Sequence, residues 1–269
     1  MTVHLQSVRL GRVEASLRGS FPFSVPAIEK LESLSFTTPV TCLVGENGSG
    51  KSTFLEAMAC AARLTAAGSA DLEGDPTLAS VRRLADRLHL AWTKRTRQGF
   101  FLRAEDYFGY VQRLSRMREE LQSDLEQVKE DYQGRSQMAQ NLARMPYMRE
   151  LGELERRYGD GLDAHSHGES FFTFFQTRFV PDGLYLLDEP EAALSPLRQL
   201  AFLSLLKETV AQGAQFIIAT HSPILLAYPG ATLLTFDDPP VHPAAYDDLE
   251  HVRLTRDFLA NPAAFLRHL

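Results

Sequence analysis

The sequence predicts an α/β protein with a mainly parallel core sheet, and three observations support that fold class. Val40–Val44, Leu184–Leu187 and Gln215–Ala219 are short apolar runs of the kind found in strands buried on both faces. Segments with strong helix formers follow these runs. Strands that alternate with helices form a parallel sheet covered by helical layers. A chain of 269 residues is long enough for one such domain, and we expect a single domain over residues 1–269.

An antiparallel β subdomain is expected at the N-terminus. Apolar residues over 2–25 roughly follow a two-residue period, which predicts short strands joined by turns. Further along the chain, Leu88–Thr93 and Gly99–Arg103 have the composition of two strands paired with each other. Lys94–Gln98 would be the basic turn between them.

A change in composition predicts an inserted helical subdomain over residues 104–170. Glycine is sparse there, charged residues are dense, and apolar residues recur at steps of three and four at Val111, Leu114, Leu121, Leu125, Val128 and Tyr132. Gly134 predicts the turn of an antiparallel hairpin, and Pro146 predicts an interruption of its second helix. Ser170–Phe179 carries phenylalanines at helical spacing, which indicates a buried helix.

The rest of the chain continues the alternation of helices and strands. A helix is predicted over Ser195–Gln212 and a last core strand over Ala231–Phe236. Val252–Leu254 has the pattern of a further strand, and an amphipathic helix is expected near Pro262–Leu269.

A glycine-rich loop follows the strand Val40–Val44 and precedes the helix predicted at Thr53–Leu64. Its sequence, GENGSGKS, fits the pattern G-x-x-x-x-G-K-[ST] in the strand–loop–helix context that a phosphate-binding loop requires. Its backbone N–H groups must wrap closely around a triphosphate, and glycine allows conformations that a Cβ atom forbids. The residues assigned to triphosphate binding are Gly45, Glu46, Asn47, Gly48, Ser49, Gly50, Lys51, Ser52 and Thr53.

Two residues at the end of this loop have separate roles. Lys51 reaches the β- and γ-phosphates and takes part in catalysis, while the hydroxyl of Ser52 binds Mg²⁺. The partial positive charge at the N-terminus of the following helix also favours an anion.

A second group of polar residues follows two later strands. Asp188 ends the run Leu184–Leu187, and His221 comes shortly after Ala219. The carboxyl ends of parallel strands face the ligand crevice, so both are expected near the phosphate loop. Asp188 is the candidate Mg²⁺ ligand, and Glu189 is the candidate base for an attacking water. His221 could sense the γ-phosphate, although a histidine after a strand is commonly an ordinary surface residue.

The order of these motifs resembles that of ABC-type ATPases. The chain contains, in sequence, GENGSGKS, a helical subdomain, SHGES, LYLLDEP, EAALSP and IIATHSP, which together span roughly residues 1–236. It looks most like the small free-standing ATPases of the P-loop superfamily that are distantly related to the RecF and structural-maintenance-of-chromosomes group. The resemblance implies an ABC-ATPase-like fold, ATP and Mg²⁺ as ligands, and hydrolysis of ATP to ADP and phosphate.

The resemblance also implies a partner, namely a second copy of the chain. Ser166, Gly168 and Glu169 match the family's signature sequence, which binds the γ-phosphate held by the other protomer of an ATP-dependent homodimer. Two composite sites would then drive a conformational switch. The chain departs from the family pattern in two places, because His167 replaces a glycine of the signature and Ser195 replaces an aspartate of the following loop.

Two assignments stay open at this stage. The family has a glutamine at the end of the strand before the helical subdomain, and here the candidates are Gln98, Arg103 and Glu105. Phe21 or Phe23 could stack on adenine, but the sequence favours a core or edge position for both side chains.

Composition limits the location and the partners of the protein. With 28 Lys and Arg against 34 Asp and Glu, the net charge of −6 disfavours a surface coated with nucleic acid. No apolar run approaches the roughly 20 residues needed to span a bilayer, and no signal peptide is visible, so a cytoplasmic protein without membrane insertion of its own is expected.

Three other functions remain as alternatives. The basic stretch Arg82–Arg97 allows an ATP-dependent switch in DNA repair or in defence against foreign DNA, with nucleic acid as a partner. An unidentified partner protein docked on the helical subdomain would instead suit the ATP-binding subunit of a membrane transporter. A P-loop kinase is disfavoured, because adjacent Asp188 and Glu189 suit attack by water better than a second substrate.

Overall fold

A mainly parallel sheet organises the chain in the computed structural model, which describes residues 3–67, 76–158 and 167–267. The strands are β1 Leu5–Leu10, β2 Ser33–Ser35, β3 Val40–Val44, β4 Thr65–Ala66, β5 Leu88–Trp92, β6 Gly99–Arg103, β7 Leu184–Asp188, β8 Gln215–Ala219, β9 Thr232–Thr235 and β10 His242–Pro243. The helices are α1 Pro26–Glu29, α2 Lys51–Ala62, α3 Ala79–Ala85, α4 Ala104–Asp131, α5 Gln137–Tyr158, α6 His167–Arg178, α7 Pro196–Ala211, α8 Pro223–Leu226, α9 Glu250–Ala260 and α10 Pro262–Leu266.

The main sheet has seven strands in the order β10-β9-β3-β8-β7-β6-β4. All its pairs are parallel except the short antiparallel pair of β10 and β9. Every residue of β3, β7 and β8 is buried, as the continuous apolar runs predict. Because β3, β8 and β7 are parallel neighbours, their carboxyl ends meet at one edge of the sheet.

Side chains of the central strands alternate between two cores, one on each face of the sheet. Leu43, Leu186 and Ile217 point into the first core, which also contains residues of helices α2 and α3 and of the N-terminal strands. Their chain neighbours point into the second core, which α6, α7 and α9 cover. An aromatic cluster fills this second core, with Phe175 and Phe202 in contact at a centroid distance of 4.7 Å. This explains the phenylalanine-rich sequence of α6.

The smaller, antiparallel sheet has the order β2-β1-β5 and corrects one prediction. The strands β5 and β6 are not paired with each other, because β5 pairs with β1 and β6 lies between β4 and β7 in the main sheet. The reason lies in their burial, since β6 is buried almost throughout and suits a two-sided sheet, whereas β5 has exposed positions. Of the strands predicted over 2–25, the described residues 3–25 contain β1 alone, and residues 11–25 form turns and loops.

Helices α4 and α5 form an antiparallel hairpin, with Gly134 in a left-handed conformation (φ = 88°) in the turn. The predicted interruption at Pro146 is wrong, because α5 continues through it. Proline removes one backbone donor, and the packing of α5 along α4 retains the helix on both sides of it.

The predicted strand at Val252–Leu254 is also wrong, because these residues lie in α9. The buried residues Leu249 and Val252 are three apart, which is the spacing of a helical face, and Leu254 is exposed. Among the helices in the described part of the chain, none is both long enough and apolar enough to span a bilayer.

Candidate functional site

The phosphate loop Gly45–Ser52 leads from the end of β3 into the first turn of α2, at the carboxyl edge of the main sheet. Gly48 and Gly50 have φ values of 82° and 104°, a region that favours glycine. A Cβ atom on Gly50 would also lie 2.6 Å from Cγ1 of Val25. The glycines therefore allow the tight path that the sequence pattern requires.

Lys51 is buried and crosses the loop from its far end. Its Nζ donates hydrogen bonds to the carbonyl oxygens of Gly45 at 2.7 Å and Glu46 at 2.9 Å. Burial lowers the pKa of Lys51, and the carboxylates of Asp188 and Asp237 oppose that shift. The ammonium group thus lies inside the loop, where a bound anion would contact it.

Ser52 and Asp188 come together from separate segments. The Ser52 hydroxyl donates to Oδ1 of Asp188 at 3.1 Å, and Asp188 is only 8% exposed. Burial raises the pKa of Asp188 to about 7, although the Ser52 hydrogen bond lowers it. The Ser52 hydroxyl and the Asp188 carboxylate are oxygen ligands of the kind that a hard cation such as Mg²⁺ prefers, and the charge of that cation would favour the ionised carboxylate.

Glu189 differs from its neighbour in both backbone and exposure. Its φ of 48° is left-handed, and its side chain is 48% exposed. Such a conformation in a residue other than glycine is strained and is typical of functional sites. The Oε1 atom lies 3.9 Å from Nε2 of His221. The adjacent acids therefore occupy two environments, one buried against Ser52 and one open to solvent beside a histidine.

His221 lies beyond the end of β8, and its position depends on an acid that the sequence analysis missed. The His221 backbone N–H donates to Oε1 of Glu191 at 2.7 Å. Burial and the nearby Lys51 lower the pKa of His221, so the imidazole is neutral at neutral pH. Glu191 is itself largely enclosed, and burial raises its pKa. The sequence contained a signal for this residue, because Glu191 is the third acid of the segment LYLLDEPE.

Asp237 is a second residue that the sequence analysis missed. It follows β9, and its Oδ1 accepts a hydrogen bond from the backbone N–H of Glu46 at 2.9 Å. The carboxylate thereby fixes the start of the phosphate loop. The strand-end rule applied to Asp188 could have found it, because Asp237 also follows an apolar strand.

The three candidates for the missing glutamine occupy different places. Gln98 precedes β6 and lies at the opposite end of that strand from the site. Arg103 ends β6 directly opposite Asp188, and its Nη2 is 2.9 Å from Oε1 of Glu56 on α2, in a largely buried ion pair. Glu105 lies in the first turn of α4. The ion pair of Arg103 and Glu56 therefore lies beside Asp188, the candidate metal ligand.

The remaining predicted residues fall partly outside the described region. Ser166 is not among the described residues, and Gly168 and Glu169 lie in the first turn of α6, which begins at His167. Ser195 is the N-cap of α7, where its hydroxyl accepts from the backbone N–H of Arg198 at 3.4 Å.

The two aromatic candidates for adenine stacking differ in exposure. Phe23 is 3% exposed and belongs to the first core, whereas Phe21 is 50% exposed. Of these two side chains, only Phe21 is accessible to a ligand.

Two sequence families match segments of the chain. One, described as an AAA domain, putative AbiEii toxin, Type IV TA system, matches residues 170–227. The other, described as an AAA domain, matches residues 16–73. The first segment contains β7 and β8 with their polar ends, and the second contains the phosphate loop. No curated protein matches the chain.

Several solved structures are similar to the chain at low identity. The Smc head domain bound to the C-terminal domain of ScpA from Pyrococcus furiosus is 12% identical with a TM-score of 0.46, over 95% of this chain and 99% of that one. An ATP binding subunit of an ABC transporter is 19% identical with a TM-score of 0.46, over 95% and 93%. A nucleotide-free ATP-binding cassette is 15% identical with a TM-score of 0.45, over 99% and 98%.

The site geometry, the sheet order and the two family matches agree on one fold. The chain has the fold of a P-loop ATPase, and the α/β fold with a mainly parallel core sheet predicted from the sequence is confirmed.

Proposed function

Proceeding from the P-loop ATPase fold, we propose that this chain binds ATP with Mg²⁺ at Gly45–Ser52 and hydrolyses it to ADP and phosphate. The observation that carries the proposal is the arrangement of adjacent acids, since Asp188 is buried against Ser52 while Glu189 is open to solvent. One carboxylate is placed to hold a cation and the other to contact water.

Each residue has a role that follows from its position. Lys51 exchanges its contacts with the loop carbonyls for the β- and γ-phosphates and offsets their charge. Ser52 and Asp188 would hold Mg²⁺, which when bound stabilises the charge that develops on the phosphates. Glu189 orients the attacking water and accepts its proton, and neutral His221 donates a hydrogen bond to the γ-phosphate.

The proposal includes a second copy of the chain. Glu189 and the loop face open solvent, and a partner would cover them and exclude bulk water. Ser166, Gly168 and Glu169 of one protomer would bind the γ-phosphate on the other, as the family resemblance implies. A helix N-terminus suits that role because its backbone N–H groups attract anions.

Glu189→Gln provides the test of the chemistry and of the dimer together. We expect hydrolysis to fall by roughly 10²-fold or more, because the amide cannot accept the proton. ATP binding should persist and trap a dimer, seen as a doubling of mass in solution only with ATP and Mg²⁺. Glu208→Gln, a change of an exposed acid on α7, is the matched control and should hydrolyse ATP normally.

Two results would contradict these assignments separately. Unchanged steady-state hydrolysis in the Glu189→Gln protein would remove Glu189 as the base. A mass that stays constant with ATP would remove the dimer while leaving nucleotide binding in place.

A second candidate function, coupling to a partner protein, is favoured by one observation on α5. Large apolar side chains form an exposed stripe along this helix, hereafter the α5 stripe, at Met138, Leu142, Met145 and Met148, which are 74%, 56%, 57% and 57% exposed. Contiguous exposed apolar surface is typical of a protein–protein contact. Changing Met138 and Met145 to glutamine should abolish binding of such a partner without changing hydrolysis by the isolated chain.

The basic stretch at Arg82–Arg97 gives weaker support to nucleic-acid binding than its sequence indicates. Arg87 pairs with Glu14 at 3.1 Å, and Lys94 pairs with Asp182 at 3.0 Å. These acids offset part of the positive charge that a phosphate backbone would need.

A further inference from the structure

A cavity of about 500 Å³ opens beside the phosphate loop. Gly45–Ser49 form one wall, Asp237 and Pro239 form another, and Leu249–His251 close a third side. His221 also lines this space. The start of α9 therefore shares a cavity with the loop proposed to bind ATP, although α9 is more than 190 residues further along the chain.

The position of His251 is fixed by packing on both sides of it. Leu249 and Val252 are 7% and 2% exposed and belong to the second core. Just before α9, the hydroxyl of Tyr246 donates to the carbonyl oxygen of Pro223 at 3.0 Å. Since Pro223 lies two residues after His221, the segments that carry the two histidines are bonded to each other.

The two imidazole rings converge on the loop. Their centroids are 6.4 Å apart and their planes are inclined at 69°. The Nε2 atoms of His221 and His251 are buried, and within the described residues neither has a hydrogen-bond partner. The charged groups around His251 are Glu46, Asp237 and Lys51, all at the same cavity or loop.

A neutral imidazole has one N–H to donate, and burial lowers the pKa of His251. A buried donor without a partner is unfavourable, and a phosphate oxygen is a strong acceptor. The ring protonated at Nε2 would therefore gain a bond from an anion that enters this cavity.

We propose that His251 is a second nucleotide-binding histidine, whose ring N–H donates to the terminal phosphate of ATP beside His221. The inference rests on the proposed binding of ATP at Gly45–Ser52. It makes the C-terminal helix part of the site within one chain. It also distinguishes nucleotides, because ADP lacks the phosphate that His251 would contact.

The test compares a non-hydrolysable ATP analogue with ADP, each titrated with Mg²⁺ into the full chain. His251→Ala should weaken binding of the analogue about tenfold, as expected for the loss of one hydrogen bond to a charged group, and change ADP binding less than about twofold. His251→Gln, which keeps an N–H donor, should recover part of the loss. His242→Ala, at an exposed histidine on β10, is the matched control and should bind both nucleotides normally.

Thermal unfolding of the unliganded proteins separates a structural role from a binding role. An equal loss of affinity for analogue and ADP, or no loss for either, would overturn the inference while leaving the proposed function intact, provided that the wild type binds both nucleotides. Failure of the wild type to bind the analogue would overturn the proposed function and this inference together. If His251→Ala does not fold, His251→Leu, which keeps apolar bulk but has no side-chain N–H donor, is titrated in its place and is judged by the same outcomes.

Discussion

The carboxyl edge of the main sheet buries ionisable side chains, whereas the hairpin of α4 and α5 exposes large apolar ones. At the sheet edge, Lys51 and Asp188 are ionisable residues inside the protein, and each has a polar partner from its own loop or from a distant segment. On the hairpin, the α5 stripe consists of apolar residues that face water. Both regions depart from the usual distribution, in which apolar residues are buried and ionisable residues are exposed.

The difference indicates two kinds of function. Buried polar groups held by several segments form a rigid, preorganised site, which suits binding of a highly charged ligand. An apolar helix face that no other part of the described chain covers adds little to the stability of the fold, so it is available for contact with another surface. The following changes test the two halves of this comparison.

Lys51→Ala should have the largest effect, and it should act on binding rather than on folding. The variant loses charge-assisted hydrogen bonds to the β- and γ-phosphates, so the affinity for ATP should fall about 100-fold or more. Its circular dichroism spectrum should match that of the wild type. Lys207→Ala, at an exposed position on α7, is the control for loss of a positive charge. Wild-type affinity in Lys51→Ala would exclude the loop as the triphosphate site.

Asp188 should make the stability of the chain depend on pH. Burial raises its pKa from 3.8 to about 7, so the folded state binds the proton more tightly than the unfolded state. Its contribution to stability is therefore complete below about pH 4 and is lost as the pH rises through about 7, by on the order of 4 kcal/mol in total. Urea unfolding without nucleotide or Mg²⁺ should show this decline in the wild type.

Asp188→Asn is the matched variant, because its amide does not titrate in this range. The difference in unfolding free energy between variant and wild type should grow as the pH rises from 5 to 8. Mg²⁺ with ATP should remove most of that difference by stabilising the ionised carboxylate. Parallel pH profiles for the two proteins would show that Asp188 is not a buried acid in solution.

The parts of the site that the sequence could predict are those encoded by neighbouring residues. The loop Gly45–Ser52 and the strand-ending pair Asp188 and Glu189 each combine an apolar strand with polar residues that follow at once. Their burial and exposure, by contrast, depend on distant groups. The left-handed backbone of Glu189, for example, is not a property of the sequence LLDEP alone.

The parts that sequence could not predict depend on the order of strands and on contacts far along the chain. Asp237 reaches the loop only because β9 lies beside β3, and His251 does so only because α9 packs against the second core. The wrong pairing of β5 with β6 has the same origin, since proximity in sequence suggested a hairpin that burial rules out. The order of strands and the contacts between distant segments cannot be derived from the local pattern of one sequence.

Leu142→Ala should have the smallest effect on stability, and Leu206→Ala is the same substitution at a core position. Leu142 lies in the α5 stripe and is 56% exposed, whereas Leu206 on α7 is 1% exposed. Leu142→Ala should alter the free energy of unfolding by about 0.5 kcal/mol or less, because little area leaves water there and alanine favours a helix. Leu206→Ala should destabilise the protein by about 2–5 kcal/mol through loss of burial and a residual cavity. Urea unfolding of both proteins at low concentration makes the comparison, and a similar loss in both would mean that the α5 stripe is already covered in solution by a second copy of the chain.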